Sequence, residues 1–430
     1  MNESFSVNRE GHLTIGGADT VALAREYGTP LYVMDEGMIR DNCRRYRRAI
    51  DEFYGGRGIA AYASKAFSCK EIYRIVQQEG MGVDVVSEGE LYTSLLAGFP
   101  ADKIFFHGNN KSEGELQFAI RQRVGYIVVD NLRELHTLEH LLEREGQEMK
   151  ILLRVKPGVD AHTHQFIRTG QIDSKFGFAL ETGEALAAAR ECAALRRARL
   201  VGLHCHIGSQ IFEVEPFCLA ARRLIGLMGQ IRRECGLELG MLNLGGGFGI
   251  KYTEEDDPVP YERFMERVSL AIHEAAAAEG LPVPYVVLEP GRSIVGRAGI
   301  TLYTVGARKE IPGVRTYLSV DGGMTDNPRY ALYQSKYEAI VANRAGEPKT
   351  ETVTIAGRCC ESGDLLAEGA KVQPCSPGDI LAVLSTGAYN YSMASNYNRV
   401  PRPAVVMVKD GKSRVVVRRE SLDDLVRNDL

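Results

Sequence analysis

Residues 59–86, IAAYASKAFSCKEIYRIVQQEGMGVDVV, carry the repeating unit of the fold. Residues 59–63 are a short apolar run of β character. Residues 68–79 space their apolar side chains as a helix does, and 82–86 are apolar and β-rich again. Strand, helix, strand is the sequence form of a βα unit in a parallel sheet. The alternation continues downstream. Further β runs fall at 104–106, 126–129, 151–155, 201–207, 242–244 and 286–288. Helical patterns lie between them at 89–96, 132–144, 182–195, 215–235 and 261–279. Eight such strands predict an α/β fold, a closed (β/α)8 TIM barrel over residues 33–293. An open doubly wound sheet is the alternative.

The rhythm stops after Gly291. Strand-like runs follow at 300–305, 316–320, 350–355, 380–384, 404–409 and 413–417, with few long helical patterns. They predict a mostly antiparallel β domain over 294–430. The last two runs flank Asp410-Gly411-Lys412, a hairpin signal. Residues 1–32 read as a short strand, a turn at Gly16-Gly17 and a helix around 20–27, and are expected to join that β domain.

The 430 residues are 44% hydrophobic and 25% charged, with no tryptophan, which excludes disordered, collagenous and small disulfide-scaffold classes. A net charge of −4 gives no basic character for a nucleic-acid or anionic-membrane partner. The cluster Arg44-Arg45-Tyr46-Arg47-Arg48 reads as a solvated helix face. Nine cysteines are scattered, the start MNESFSVNRE lacks a signal pattern, and no apolar run suits a membrane span. These features predict a cytoplasmic protein with reduced thiols.

Barrels of this kind do chemistry at the C-terminal ends of their strands. After the first strand comes Lys65, either a solvated surface lysine or, at the face where barrels do chemistry, one that can lose its proton and form a Schiff base with a carbonyl cofactor. After the sixth comes His204-Cys205-His206-Ile207-Gly208-Ser209. Alternation puts both histidines on one face. A metal pair is the sharp reading, but further ligands are wanting at other strand ends, so no metal is expected. One packed histidine and one facing the cavity is the plainer reading. His162-Thr163-His164 is a second pair, in a polar loop. After the seventh strand, Gly245-Gly246-Gly247 is either a tight turn or an anion nest, and this end of a barrel commonly holds phosphate. After the eighth, Glu289-Pro290-Gly291-Arg292 offers a carboxylate for a protonated ring nitrogen and a guanidinium for phosphate or carboxylate. An ordinary ion pair closing the barrel mouth is the alternative. Schiff-base lysine, phosphate cradle and pyridinium partner together are what pyridoxal phosphate needs.

Over nearly its whole length the chain resembles the diaminopimelate decarboxylases, in the alanine-racemase-like, fold-type III group of pyridoxal-phosphate enzymes. The motifs that carry the resemblance begin with Tyr62-Ala63-Ser64-Lys65, His107-Gly108-Asn109-Asn110-Lys111 and Ser174-Lys175-Phe176-Gly177-Phe178. They continue with the His204 to Gln210 run, the three glycines and Glu289-Pro290-Gly291-Arg292. The β domain adds Asp326-Asn327-Pro328-Arg329, Cys360-Glu361-Ser362-Gly363-Asp364 and Gly387-Ala388-Tyr389. Two positions depart from many relatives: Phe67 two residues after the lysine, and Phe248 after the glycines.

The resemblance implies pyridoxal 5'-phosphate on Lys65, with His206 stacked on its ring. Ser209, Gly245, Gly246, Gly247 and the Gly291-Arg292 backbone lie by its phosphate, and Glu289 meets its ring nitrogen. It implies that Arg292, Arg329, Tyr333 and Tyr389 bind substrate, with Tyr389 also touching the cofactor. Cys360 and Glu361 reach the neighbouring site of a homodimer, Cys360 as proton donor. A second carboxylate for Arg329 and a second ammonium for Glu361 point to meso-2,6-diaminopimelate, decarboxylated to L-lysine. The alternatives are a decarboxylase of another diamino acid or an amino-acid racemase on the same scaffold. A non-catalytic pyridoxal-phosphate-binding protein and a metal-dependent hydrolase using His204 and His206 are more distant readings.

Overall fold

The computed structural model describes residues 5–159 and 173–430. Eight parallel strands, Gly58–Ala63, Gly82–Val85, Ile104–Phe106, Tyr126–Val129, Met149–Lys156, Ala198–His204, Met241–Asn243 and Tyr285–Leu288, pair in chain order. The ring closes because Tyr285–Leu288 also pairs with Gly58–Ala63. The sequence therefore folds as a barrel and not as an open sheet. The pair His162 and His164 lies outside the described residues.

The period-2 pleat sorts each strand between two environments. Ala61, Phe105, Val128, Leu152 and Val287 meet inside the barrel as one apolar plug. Their neighbours Tyr62, Phe106, Val129, Leu153 and Leu288 point outward into the main core beneath the helices. The plug fills one end of the barrel, so inward positions further along the strands line the other. Ala63, Asp84 and Arg154 are such positions.

A second, mixed sheet follows. Strand Gly299–Ile311 is its spine, antiparallel to Arg315–Val320, to Ile380–Val383 and to Leu31–Asp35. Leu31–Asp35 also lies parallel to Ala404–Lys409, which forms the expected hairpin with Lys412–Val417. The N-terminal segment packs into this half: Leu13, Ile15, Val21 and Leu23 share a core with Ile300, Leu302 and Val406. Strand Leu365–Val372 completes the far edge against Glu351–Ala356. Glu368, Gly369 and Lys371 break the apolar alternation that marks a strand, which hides this one in the sequence. Helix Glu36–Phe53 carries the arginine cluster, and helix Glu113–Arg121 goes beyond the helical patterns read above. On the first, Arg45 is a bidentate partner of Glu262 and stacks over Tyr261, so the arginine cluster is only partly a solvated face.

Asp326 lies 1% exposed in the β domain, and burial pushes its carboxyl up to about 7 against the bonds from Tyr303 and Gly323. The unfolded chain ionises this group near 3.8. The folded protein therefore holds the extra proton between these values. The resulting stability is full below pH 3.8, falls as pH rises, and is gone above about 7. Asp326→Asn, which cannot ionise, should lose less melting temperature than wild type between pH 5 and pH 8. Equal losses in parallel thermal melts would contradict this origin of the pH dependence.

Candidate active site

A cavity of ≈ 360 Å³ opens at the C-terminal ends of the barrel strands, bounded by barrel loops and by Arg329, Tyr333, Tyr389 and Met393 of the β domain. Lys65 sits in a short 3-10 turn, Ser64–Ala66, directly after the first strand, with its side chain in this cavity. The β domain fixes that turn: the Tyr389 N–H donates to Ala66 O at 2.7 Å, from a left-handed backbone with φ 62°.

Glu289, 6% exposed, faces the cavity as the last barrel strand ends. Asn243 Nδ2 donates to its Oε1 at 2.6 Å, His204 Nε2 lies 3.2 Å from Oε2, and His107 Nε2 lies 2.7 Å from Oε1. Burial opposes the charge, but the two imidazoles outweigh it and hold the carboxyl well below the usual carboxylate range. This site keeps an anion. The sixth strand stops at His204, so His206 lies in the following loop rather than on the strand as read from alternation. A ring nitrogen of His204, one of His107 and a Glu289 oxygen lie within 4.8 Å of one another. His204 is thus grouped with His107 across the barrel, not with His206. Burial lowers His204 to about 4 and His206 well below 6.5, the latter also opposed by the charge of Lys65, so both rings are neutral.

The alternative reading, an ion pair between Glu289 and Arg292 closing the mouth, does not form. The Arg292 guanidinium donates to Ser209 Oγ at 2.8 Å and to the Tyr252 hydroxyl, and lies over the Tyr389 ring at 4.8 Å. Arg329 lies 5.4 Å from the same ring and 5.3 Å from that of Tyr333. Both arginines are at most 9% exposed, and among the described residues neither has a carboxylate within ion-pair reach. A buried guanidinium without a counter-charge is costly, so both await anionic ligand groups.

The glycine loop follows the seventh strand, between the strand ends that carry Ser209 and Glu289. A Cβ on Gly246 would fall 2.1 Å from Glu289 O, and one on Gly247 (φ +118°) 2.5 Å from Gly208 O. Only glycine permits this packing, which leaves both backbones at the cavity edge. Gly245 stands behind them, its N–H given to Asn243 Oδ1 at 2.9 Å. Ser209 and Gly291 also line the cavity. Cys360 and Glu361 do not: both are exposed, on a loop of the β domain.

Sequence reading gave no role to Asp84, His107, Arg154 or Tyr252. Asp84 and Arg154 interrupt apolar strands with a charge at inward positions, which is the signal that would have found them. Arg154 stacks on Phe176 at 4.0 Å, and Asp130 accepts the Gly177 N–H at 2.7 Å, which anchors the Ser174–Phe178 motif at the mouth. Tyr252 carries no sequence signal, since only the fold brings it to Arg292.

Residues 36–296 match the family model for the pyridoxal binding domain of pyridoxal-dependent decarboxylases. The chain is 51% identical to the diaminopimelate decarboxylase of Bacillus subtilis (strain 168), over 98% of this chain and 96% of that one. It is 46% identical to that of Staphylococcus aureus (strain COL), over 98% of each. The crystal structure of the M. jannaschii diaminopimelate decarboxylase in complex with L-lysine superposes with a TM-score of 0.92 at 34% identity. That match covers 100% of this chain and 98% of the other.

Proposed function

The chain belongs to the diaminopimelate decarboxylases among the pyridoxal-dependent decarboxylases, and from that premise we propose that it converts meso-2,6-diaminopimelate to L-lysine and CO2 in active sites shared by two copies. The observation that carries the substrate is the pair of buried guanidiniums, Arg292 and Arg329, flanking one ring in the cavity that Lys65 enters. Ornithine or lysine would leave Arg329 without a second carboxylate to meet.

The residues present fit pyridoxal phosphate. Lys65 would hold it covalently, Gly246, Gly247 and Ser209 would line its phosphate, and His206 would lie against its ring. When bound, the group supplies an electron sink for the pair released as the Cα–carboxylate bond breaks. The protein's part is positional and electrostatic. Glu289, fixed as an anion by Asn243, His107 and His204, would keep the ring nitrogen protonated. Neutral His206 adds no competing charge. Arg329, with Tyr333 and Tyr389 beside it, would grip the distal carboxylate and so fix which bond to Cα breaks. Glu361 would take the distal ammonium, and Cys360 would return a proton to Cα. A thiol in that role must be protonated when it acts. Cys360 and Glu361 are exposed and stand away from their own chain's cavity, which supports their serving a neighbour's. All nine cysteines are free and no described helix is long and apolar enough to cross a membrane. Free thiols suit the cytoplasm, the compartment we propose.

Product analysis with meso-diaminopimelate tests the reading: lysine and CO2 in equal amounts are expected, and an epimerised substrate without CO2 would overturn it in favour of a racemase. Arg329→Ala should lower kcat/KM about 30-fold or more, the effect of losing a buried charge pair worth ~2–5 kcal/mol. Its affinity for pyridoxal phosphate should stay near wild type. An unchanged kcat/KM would remove Arg329 from the distal clamp.

A further inference from the structure

We propose that Asp364 is a positioning residue that holds the substrate clamp of one active site in register with the proton donor of the next. This rests on the reading that Cys360 acts in the neighbouring subunit. Asp364 is 3% exposed and, among the described residues, has no Lys, Arg or His within ion-pair reach. Its two oxygens are divided between two loops. Oδ1 accepts the Met324 N–H at 2.6 Å, and Oδ2 accepts the Cys359 N–H at 2.7 Å.

Each loop leads to a different site. Met324 begins the turn that runs through Asp326-Asn327-Pro328 into helix Arg329–Tyr333, whose Arg329 and Tyr333 line the chain's own cavity. Cys359 adjoins Cys360 and Glu361, which are exposed outside it. Backbone bonds reinforce the link: Arg358 N donates to Gly322 O at 2.9 Å, and Gly357 N to Asp364 O at 2.8 Å. The two carboxylate bonds act from one rigid, buried group, so a shift of either loop is felt by the other. The Cys359 thiol, pushed up to about 11 by burial and by Asp364, keeps its proton beside that carboxylate.

Heterodimers separate the two arms. One subunit carries Lys65→Ala, which silences its own barrel and leaves one live site per dimer. That live site takes Lys65 and Arg329 from the intact subunit and Cys360 from the silenced one. Asp364→Ala is then placed on either subunit of the holoenzyme. On the intact subunit it should raise KM at least about tenfold with kcat kept, because it loosens Arg329. On the silenced subunit it should lower kcat at least about tenfold, because it misplaces the thiol. Gly357→Ala is the second variant: its methyl would lie 2.2 Å from Asp364 Oδ2, so it displaces the same carboxylate without removing it. It should give the same placement-dependent split, and size-exclusion and melting profiles would show that both variants remain folded dimers. Equal changes from both placements would mean a merely structural role and overturn the proposal, as would no change from either. A silent placement on the silenced subunit, with both defects on the intact one, would refute the shared site while leaving the Asp364 link standing.

Discussion

Lys65→Ala should be inactive, with kcat reduced about 10⁴-fold or more, the scale reached when a group that forms the covalent link is removed. The visible absorbance of the purified protein should vanish with it. Lys65 is the lysine that the first barrel strand delivers into the cavity, on a turn pinned by the Tyr389 N–H. Borohydride reduction of the wild-type protein should fix pyridoxal phosphate on the peptide containing Lys65. Label on Lys111 or Lys175 instead would refute the assignment. Lys111 is a poor competitor, since its Nζ is spent on Glu134 at 2.7 Å and on two carbonyls. Lys175 also lines the cavity, so it is the control that matters.

Mixing two dead enzymes should restore a live one. Lys65→Ala and Cys360→Ala homodimers should each be nearly inactive. After subunit exchange, a heterodimer has one site with both defects and one with neither. Random exchange makes about half of the dimers mixed, each with one working site of two, so activity should recover to roughly a quarter of wild type. Recovery must track the heterodimer, isolated by a tag on one parent. If Lys65 and Cys360 served the same chain's site, every site would keep one defect and nothing would return. Tagged heterodimer without decarboxylation would end the assignment of Cys360 as a donor in trans. The exposure of Cys360 and Glu361, away from the cavity that Arg329 lines, is the structural reason to expect recovery.

Covalent order along the chain determined much of this protein. Eight β runs, each followed by a polar or glycine-rich end, specify a barrel because a strand's pleat and a helix's pitch are local periodicities that any window displays. Lys65, Glu289 and the glycine loop were legible for the same reason: each directly follows its strand, and strand ends of a barrel face one rim. What joins distant parts of the chain was not legible. Asp84 and Arg154 look like interruptions of strands until closure turns them inward together. The partners of Glu289 come from three other strand ends, and its charge state depends on all of them because burial alone would have neutralised it. An ion pair of Arg292 with Glu289, its near neighbour in sequence, was the alternative reading, but tertiary packing gave the guanidinium to Ser209 and Tyr252. Asp364 reads as one more acidic residue in a motif, and only the fold shows its two oxygens shared between the Met324 and Cys359 loops. Local pattern fixes which elements form; which charges meet is decided by the closure of the barrel and the docking of the second sheet, since electrostatic and hydrogen-bonding energies depend on distance in space and not on distance along the chain.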